Sequence, residues 1–572
     1  MRGATKGPFG PWKRYGAVRQ CVLPAVLLLS LLVTASTVLG YDVGPLALSG
    51  GLNLSVSGYA AAGGAARQSP LNWTVSGDPS LGAYGINLPF SFVLSQSERS
   101  FRQPFNEFGV SPAWRWATFH LGYRNVTWSP YTLGGHTFLG AGVELNPGLL
   151  RVGAVYGQLQ RAVREDTVSA PPDSVEQTPA YRRMGWAVKL GWGRPSNYVD
   201  VVLLKAVDDS SSLPVRPAKS VLMPAENAVL GLTTRQAIGK ALVFDLDVGA
   251  SVYNRDQAAL PLDLGNSGLK FLSRIILPRV STTYFLAGRT GLTLTLGGLT
   301  TTLQYERVEP EYQSMGANPL TTDIDRVTLT PSLRVWGDRL LLSGSVGSQR
   351  DNLLGSKRAT TSRLIWSAGA GLYPTPTLGL DIRYANYGTS QSAGTAPVND
   401  TARLAQVNRS LSVAPRWTLV AGGTAHSLSL SFNQTALADA NSFTRDANNS
   451  SSTAAAFSYG LSNAGFSASA AATFAASSTD TTPTSVTGVS LTAGKPLAGN
   501  RLNVSLTPAL SWTSINSQSA ATVVTVRADA TYRPWTAHSF RVGASYLSNR
   551  ASLPGSPDFT EIEATAGYAF NF

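Results

Sequence analysis

The stretch FTEIEATAGYAFNF, residues 559–572, decides the fold class because its side chains change character with a period of two. One face of the stretch is apolar or aromatic and consists of Ile562, Ala564, Ala566, Tyr568, Phe570 and Phe572. The other face is polar or small and consists of Glu561, Glu563, Thr565 and Gly567. A period of two indicates a β-strand. An apolar face that ends in aromatic residues is typical of transmembrane β-barrels, whose strands are apolar toward lipid and polar toward the lumen.

This pattern resembles the closing strand of Gram-negative outer-membrane barrels. The resemblance implies that Tyr568, Phe570 and Phe572 are part of the signal that the barrel-insertion machinery reads, which makes that machinery an expected partner. It also implies a location in the bacterial outer membrane, in contact with its lipid and lipopolysaccharide. The resemblance is to a class of proteins, so it names no solute.

The opening of the chain predicts an export signal. Residues 1–20 contain five basic residues and no acid, and the apolar run VLPAVLLLSLLV follows at residues 22–33. This arrangement predicts a signal peptide over residues 1–40, cleaved after Gly40 or alternatively after Ala35. An uncleaved anchor helix is the other interpretation. Residues 41–572 are then predicted to form one transmembrane β-barrel without a separate plug domain, which argues against a TonB-dependent transporter.

The composition agrees with a barrel and excludes other classes. The chain is 43% hydrophobic and 14% charged, its mean hydropathy is +0.01, and no stretch after the signal is long and apolar enough for a spanning helix. The net charge of +13 falls to +8 without the five basic residues of the signal, a balance that fits lipopolysaccharide phosphates or an anionic solute. No basic helix or nucleic-acid-binding module accompanies the charge, so no nucleic acid is expected. The only cysteine, Cys21, precedes the apolar run, so the mature chain is expected to have no disulfide.

Alternating segments recur along the chain and are separated by connections of two kinds. Tight turns are predicted at 146–148, 194–197, 297–298, 337–338, 374–376, 463–465 and 497–500. Long polar connections are predicted at 164–180, 208–226, 254–282, 309–325, 388–402 and 438–452. Short turns at one end and long loops at the other are typical of outer-membrane barrels, with the turns and both termini in the periplasm.

Counting hairpins by this rule predicts about 24 antiparallel strands, within a range of 22 to 26. A series of soluble β-sandwiches or a β-solenoid is the alternative architecture. Residues 97–112 are predicted to form an unusually long connection on the periplasmic side, suited to contact with a periplasmic or envelope partner.

Charged residues occupy the predicted inward positions of the strands. If the apolar alternates face lipid, seven basic and seven acidic residues line the lumen: Lys189, Asp245, Asp247, Arg289, Glu306, Arg334, Asp381, Arg383, Arg416, Arg527, Asp529, Arg541, Glu561 and Glu563. Because unpaired charges in a dry interior are costly, the lumen is expected to be wet or crossed by salt-bridged plug segments. A selective channel would gather one sign of charge at a constriction, so a solvated wall without selectivity is the simpler interpretation.

The segment 99–138 is denser in aromatic residues, arginine and histidine than any other part of the chain. It is interpreted either as ordinary strands with bulky residues at the membrane interface or as a folded-in loop that narrows the lumen or contacts a partner. The residues that would form this constriction or partner contact are Arg102, Arg115, Arg124, Trp114 and Trp116.

Three strings carry a second resemblance. They are SPYTLGGHTFLGAGVELNPG at 129–148, MPAENAVLGL at 223–232 and YERVEPEYQSMGANP at 305–319. The strings resemble long, uncharacterised outer-membrane barrels of the Bacteroidota. No activity comes with this resemblance.

No catalytic, cofactor or metal site is predicted. The four histidines, His120, His136, His426 and His538, lack metal-ligand spacing. The acids at 208–209 and 323–325 are interpreted as solvated loop residues rather than Ca²⁺ ligands. The predicted function is therefore a porin-like channel for passive diffusion of polar solutes, with a structural barrel of a secretion or assembly complex as the alternative and a barrel-embedded enzyme third.

Overall fold

The computed structural model describes residues 46–64, 66–83, 86–95, 108–163, 179–213, 222–262, 273–399, 401, 403–479 and 482–572. The predicted signal peptide with its cleavage sites, Cys21 and Arg102 lie outside these residues.

The described chain is almost entirely β-structure. Its strands are β1 (Leu46–Ser49), β2 (Gly51–Ala62), β3 (Leu71–Gly77), β4 (Ser80–Ala83), β5 (Ile86–Ser95), β6 (Phe108–Val110), β7 (Ala113–Trp114), β8 (Ala117–Asn125), β9 (Thr137–Leu145), β10 (Leu150–Gln160), β11 (Arg182–Arg194), β12 (Asn197–Asp209), β13 (Glu226–Ile238), β14 (Leu242–Asn254), β15 (Thr282–Leu296), β16 (Leu299–Val308), β17 (Ile324–Val335), β18 (Leu340–Arg350), β19 (Ala359–Thr375), β20 (Leu378–Ala393), β21 (Ala405–Ala421), β22 (Thr424–Asp439), β23 (Ser450–Ser462), β24 (Ser467–Thr479), β25 (Thr484–Leu497), β26 (Leu502–Ile515), β27 (Gln518–Tyr532), β28 (His538–Ala551) and β29 (Phe559–Asn571). A single four-residue helix, α1 (Arg445–Asn448), is described between β22 and β23. None of the helical structure in the described part of the chain is long and apolar enough to cross a membrane.

The sheet closes on itself through its first and last long strands. β2 pairs with β29 from Gly51 opposite Asn571 to Ala62 opposite Thr560, and every other paired strand is also antiparallel to its neighbour. Three wall positions are each shared by two consecutive strands: the short β1 with the long β2, and the short pairs β3 with β4 and β6 with β7. The 29 strands therefore form a closed antiparallel barrel of 26 wall positions. The fold class is confirmed, and the strand number is slightly higher than the predicted 24.

The connections fall into two classes at opposite ends of the barrel. We call these ends the short-turn end, with turns such as 195–196, 297–298 and 422–423, and the long-connection end, with connections such as 255–281 and 309–323. Residues 97–107 of the predicted connection 97–112 lie outside the described residues. The described strands on either side of it meet it at the long-connection end, because Ser95 pairs with Thr74 toward that end and β6 starts from it, so the prediction of the short-turn side is wrong. The short strands β6 and β7 are separated by Ser111 and Pro112, and a proline cannot donate to a strand ladder. This interruption concealed one wall position from the sequence pattern.

The outer face of the sheet carries an apolar band without charge. Along β11 the residues on this face are Met184, Trp186, Val188, Leu190 and Trp192, and they are bracketed by Arg182 and Arg194. Twelve residues of a strand tilted by about 40° rise about 31 Å along the barrel axis. This height matches the hydrocarbon core of a bilayer, about 30 Å. Every charged residue that the register places on the outer face of a described strand lies toward one end of its strand.

Candidate functional site in the barrel lumen

Two connections at the long-connection end fold into the barrel. We call residues 126–136, between β8 and β9, the first inner loop, and residues 309–323, between β16 and β17, the second inner loop. Trp128 donates a hydrogen bond to Glu144 on β9, whereas Tyr131 donates one to Glu306 on β16. These strands are about 34 Å apart along the wall, but three residues span only about 10 Å. The first inner loop therefore crosses the concave, inner side of the sheet.

The inner loops are buried and bind each other. Tyr131 is 1% exposed and Met315 is 2% exposed. Backbone hydrogen bonds join Gly134 N to Gly316 O at 3.2 Å and Asn318 N to Gly134 O at 3.0 Å. The hydroxyl of Tyr312 donates to the carbonyl of Tyr131 at 2.6 Å, and the two rings meet edge to face with centroids 6.3 Å apart. The two loops thus form one unit.

Glycines on the inner wall make room for this unit. A Cβ atom on Gly231 would lie 2.4 Å from Cγ2 of Thr132, and one on Gly249 would lie 2.5 Å from the hydroxyl oxygen of Tyr312. A Cβ atom on Gly153 would lie 2.5 Å from the ring of Trp128. Because real Cβ atoms do not approach other atoms so closely, any larger residue at these positions would displace the loops.

Polar side chains of the wall anchor the loops at defined points. Ser129 donates a hydrogen bond to Asp247 at 2.6 Å, and the hydroxyl of Tyr131 reaches Glu306 at 2.9 Å. The backbone N–H of Met315 donates to Oδ1 of Asn227 at 3.0 Å. Burial, followed by the nearby carboxylate of Glu306, raises the pKa of Tyr131 far above its ordinary value, so this hydroxyl stays protonated as a donor.

A buried charge cluster lies beneath the start of the first inner loop. Glu144 accepts hydrogen bonds from Trp128 at 2.8 Å and from Lys189 at 2.9 Å. The ammonium of Lys189 also lies 5.0 Å from the ring centre of Trp128. His120 is 3.4 Å from Glu144 and 3.0 Å from the hydroxyl of Ser111. Each buried charge thus has a partner, as a dry site requires.

The second inner loop ends in an ionic contact that we call the Asp323 latch. Asp323 has a left-handed backbone conformation with φ of 57°. Its carboxylate accepts hydrogen bonds from the N–H groups of Asn352 at 3.0 Å and Leu353 at 2.8 Å, and forms an ion pair with Lys357. Burial alone would raise the pKa of Asp323, but these hydrogen bonds outweigh it and lower the pKa. The same contact raises the pKa of Lys357.

A cavity of about 430 Å³ opens beside the first inner loop. It is lined by the aromatic side chains of Trp128 and Tyr198, by hydroxyl and amide groups, and by the charged residues Arg235, Asp245, Asp247 and Arg289. Arg235 lies 3.2 Å from Asp245, and Arg289 lies 3.9 Å from Asp247. The charges of the cavity are therefore largely balanced within its own wall.

Strand register places all fourteen proposed lumen residues on the face that the inner loops cover in part. The structure brings Asp245, Asp247, Arg289 and Glu306 together beside the inner loops, whereas Lys189 lies in the charge cluster under Trp128. The others line the rest of the wall: Arg334, Asp381, Arg383, Arg416, Arg527, Asp529, Arg541, Glu561 and Glu563. Glu561 accepts hydrogen bonds from Tyr59 at 2.8 Å and Arg67 at 2.7 Å.

The residues predicted for a constriction are not gathered at one place. Trp114, Arg115 and Trp116 lie at the turn between β7 and β8, at the short-turn end, with Arg115 over the ring of Trp114 at 5.4 Å. Arg124 lies on the inner face, where it donates to Ser91 at 3.1 Å. Within residues 108–138, the described part of the dense segment 99–138, the part that folds inward is the first inner loop.

The aromatic residues of the predicted insertion signal lie at the closing seam on the outer face. Tyr568 and Phe570 are buried there against Leu54 and neighbouring side chains. His538 stacks on Phe570 with ring centres 4.7 Å apart, and Phe570 lies 5.0 Å from Phe572. The recognition of these residues by the insertion machinery stays a prediction.

The three strings noted in the sequence meet in space. Asn227 belongs to the second string, and it binds Met315 of the third beside Thr132 of the first, which contacts Gly231. Sequence reasoning missed the residues that build the inner loops: Ser129, Tyr131, Thr132, Tyr312, Ser314 and Met315. The three strings were the available signal, but nothing local showed that they contact one another.

In the part of the chain that the structure describes, no group of three or more His, Cys, Asp or Glu side chains is arranged to hold an ion. Asp208 pairs with Arg183 at 2.8 Å, and Asp323 pairs with Lys357. These acids are thus engaged by cationic side chains.

Comparison with protein-family models and with curated proteins finds no match. The fold resembles solved outer-membrane β-barrels at low similarity. The P pilus usher PapC translocation pore is 12% identical, with a TM-score of 0.37, over 92% of this chain and 100% of that chain. Pseudomonas aeruginosa OpdK with vanillate is 10% identical, with a TM-score of 0.30, over 61% and 93%. Acinetobacter baumannii OccAB3 is 11% identical, with a TM-score of 0.31, over 68% and 99%.

Proposed function

We propose that the chain is an outer-membrane channel for passive diffusion of polar solutes, with a lumen that the inner loops narrow from one side. The observation that carries the proposal is the difference in exposure between two parts of the inner wall. Under the inner loops the side chains of Lys189 and Asp247 are 8% and 10% exposed. On the uncovered wall the side chains of Arg416 and Arg527 are 59% and 63% exposed. Charged groups this accessible on an inner wall fit a water-filled passage.

The size of the barrel supports the same function. Twenty-six strands, spaced about 4.8 Å apart and tilted by about 40°, give a circumference of about 160 Å and, for a round section, a diameter of about 50 Å. Barrels of 16 to 18 strands already leave an aqueous channel. The inner loops are two short connections that contact β9 to β17, so they are too small to fill such an interior.

Location in the outer membrane is proposed from the charge-free outer band and its height of about 31 Å. By the usual arrangement of such barrels, the short-turn end and both termini would lie in the periplasm. Cysteines placed in the turn 422–423 and in the connection 351–358 test this orientation in intact cells. The proposal requires a thiol reagent that is too large to pass through the channel to label the second position and to leave the first unlabelled.

Single-channel recording in planar bilayers tests the channel function directly. We expect steady conductance larger than that of a 16- to 18-stranded porin in the same salt, together with liposome swelling by small sugars and amino acids. A refolded barrel with native, heat-modifiable mobility but without conductance would refute a channel.

A structural barrel of a secretion or assembly complex is the second candidate. Its support is the inner face of β22 to β26, which consists almost entirely of Ser, Thr, Ala, Gly and Asn, with Asp439 as its one charged residue. Short uncharged side chains make a smooth surface on which a large partner could lie. This candidate predicts stoichiometric co-purification of an envelope protein. It also predicts that large dextrans fail to reduce the conductance when that partner is bound and reduce it when the partner is absent.

A further inference from the structure

Charged residues on the outer face are concentrated at the long-connection end. Strand register places six basic and three acidic residues there: Arg182, Lys205, Arg307, Arg350, Arg409, Arg550, Asp209, Glu226 and Asp325. These residues of the described strands carry a net charge of +3 (six basic minus three acidic). They border the apolar band directly.

Some of these residues neutralise each other in pairs. Arg182 forms an ion pair with Asp209, and Lys205 forms one with Glu226. Because each pair joins one cation to one anion, neither leaves a charge for a ligand.

The group on β16, β17 and β18 is different. Arg350 lies 3.1 Å and Arg307 lies 3.6 Å from the same oxygen, Oδ2, of Asp325. Two guanidinium groups share one carboxylate, so the group keeps one net positive charge. The side chains of Arg307 and Arg350 are 42% and 63% exposed. An arginine carries five N–H donors, so most of the donors remain available to a second anion.

The surroundings of this group select the kind of anion. Just below it on the outer face, toward the middle of the barrel, lie the exposed side chains of Tyr305 and Val327. Below Arg350 the next outward residue of the neighbouring strand is Leu364, which is also exposed. An anion that contacts both the arginines and this surface must join a negative head to an apolar tail. Membrane lipids have this construction.

We propose that Arg307, Asp325 and Arg350 form a docking site for the phosphate of a lipid in the leaflet at the long-connection end. Guanidinium groups bind phosphate oxygens through paired, charge-assisted hydrogen bonds. The acyl chains of the lipid lie along the apolar band below, next to Tyr305 and Leu364. Asp325 holds the two arginines on one side and leaves their outward donors for the phosphate.

Lipid titration followed by native mass spectrometry of the full chain in neutral detergent tests the site. The probes are bis-phosphorylated lipid A, the same lipid without its phosphates, and inorganic phosphate. We expect the phosphorylated lipid to bind about tenfold more tightly than the dephosphorylated one, a difference of about 1.4 kcal/mol. The double variant Arg307→Gln with Arg350→Gln is expected to lose this preference, and inorganic phosphate at equal phosphate concentration is expected not to compete.

A matched control uses Arg416→Gln with Arg527→Gln. These arginines are 59% and 63% exposed and lie near aspartates, but on the inner face. The control variant should keep the lipid preference. Loss of preference in the control, or its retention in the first double variant, would overturn the proposal, and so would full competition by inorganic phosphate.

Asp325→Asn keeps the test decisive if the double variant fails to fold. This substitution keeps both arginines and removes the charge that they share, so the affinity for the phosphorylated lipid should rise. An unchanged or lower affinity in a natively migrating Asp325→Asn barrel also overturns the proposal.

Discussion

Truncation of Tyr131 should release the inner loops from the wall. Its ring is 1% exposed, and its hydroxyl donates to Glu306 at 2.9 Å. Loss of a buried aromatic side chain costs about 3–5 kcal/mol, and loss of a hydrogen bond to a charged acceptor costs about 1.5–3 kcal/mol. Tyr131→Ala loses both and is therefore expected to weaken docking of the loops by about 4.5–8 kcal/mol, whereas Tyr131→Phe loses only the hydrogen bond, about 1.5–3 kcal/mol.

A cysteine at position 229 reports this release. Val229 lies on the inner face of β13 and is fully buried under the inner loops. In a background without Cys21, the rate at which a water-soluble reagent labels Val229→Cys follows the fraction of barrels with undocked loops. Each 1.4 kcal/mol is a factor of ten, so Tyr131→Ala should speed labelling by about three to six orders of magnitude and Tyr131→Phe by about ten- to a hundredfold.

The control position is Ser469, an exposed residue on the inner face of β24. Ser469→Cys should react fast and at the same rate in all three backgrounds. The reasoning is refuted if Tyr131→Ala migrates as a native barrel but labels position 229 at the rate of the unchanged loops. It is also refuted if Tyr131→Phe labels as fast as Tyr131→Ala, because burial of the ring would then contribute nothing.

Three further predictions concern the loops and the open wall. Gly231→Val should displace Thr132 and raise single-channel conductance, whereas Gly291→Val, whose Cβ would meet only Asp245 Cβ at 3.9 Å, should leave it unchanged. Because its pKa is lowered, Asp323 contributes fully to the stability of the Asp323 latch above about pH 4, and this contribution is lost as the pH falls further. Because its pKa is raised, Lys357 contributes fully to the stability of the same latch below about pH 10, and this contribution is lost as the pH rises further. Limited proteolysis of residues 309–323 should therefore accelerate only at these two extremes, and at neutral pH in Asp323→Asn. Arg527→Glu should shift the reversal potential in a salt gradient toward cation preference, and an unchanged potential would mean that this wall does not line the conducting path.

The wall of the barrel could be predicted from sequence because each strand carries its own signal. Alternation with a period of two assigns a residue to one face regardless of where the rest of the chain lies. The residues of 559–572 thus indicated both the strand and its apolar side. The count was too low because short strands such as β6 and β7 give only a few alternating residues on either side of Pro112.

The inner loops could not be predicted in this way. Their contacts join residues far apart in sequence, such as Tyr131 with Tyr312 and Met315 with Asn227. A fold-level pattern does not show which positions meet across a lumen. From the local sequence, glycine at positions 231 and 249 indicates only a residue that weakens a strand. The contact with the inner loops shows why a side chain would not fit at these two positions.

The inner loops divide the charged residues of the inner wall into two groups, those that hold the loops in position and those that stay exposed to water. Charges under the loops are paired at short range, as in Glu144 with Lys189 at 2.9 Å, so they fix the position of the loops and carry little net field. Arginines on the uncovered wall are exposed whether their partner is distant, as for Arg416 at 4.0 Å from Asp381, or close, as for Arg527 at 2.7 Å from Asp529, so they remain able to act on ions in water. In the proposed channel, the described loops that stay against β9 to β17 would narrow the lumen without closing it, and the field that a passing solute meets would come mainly from the wall that they leave uncovered.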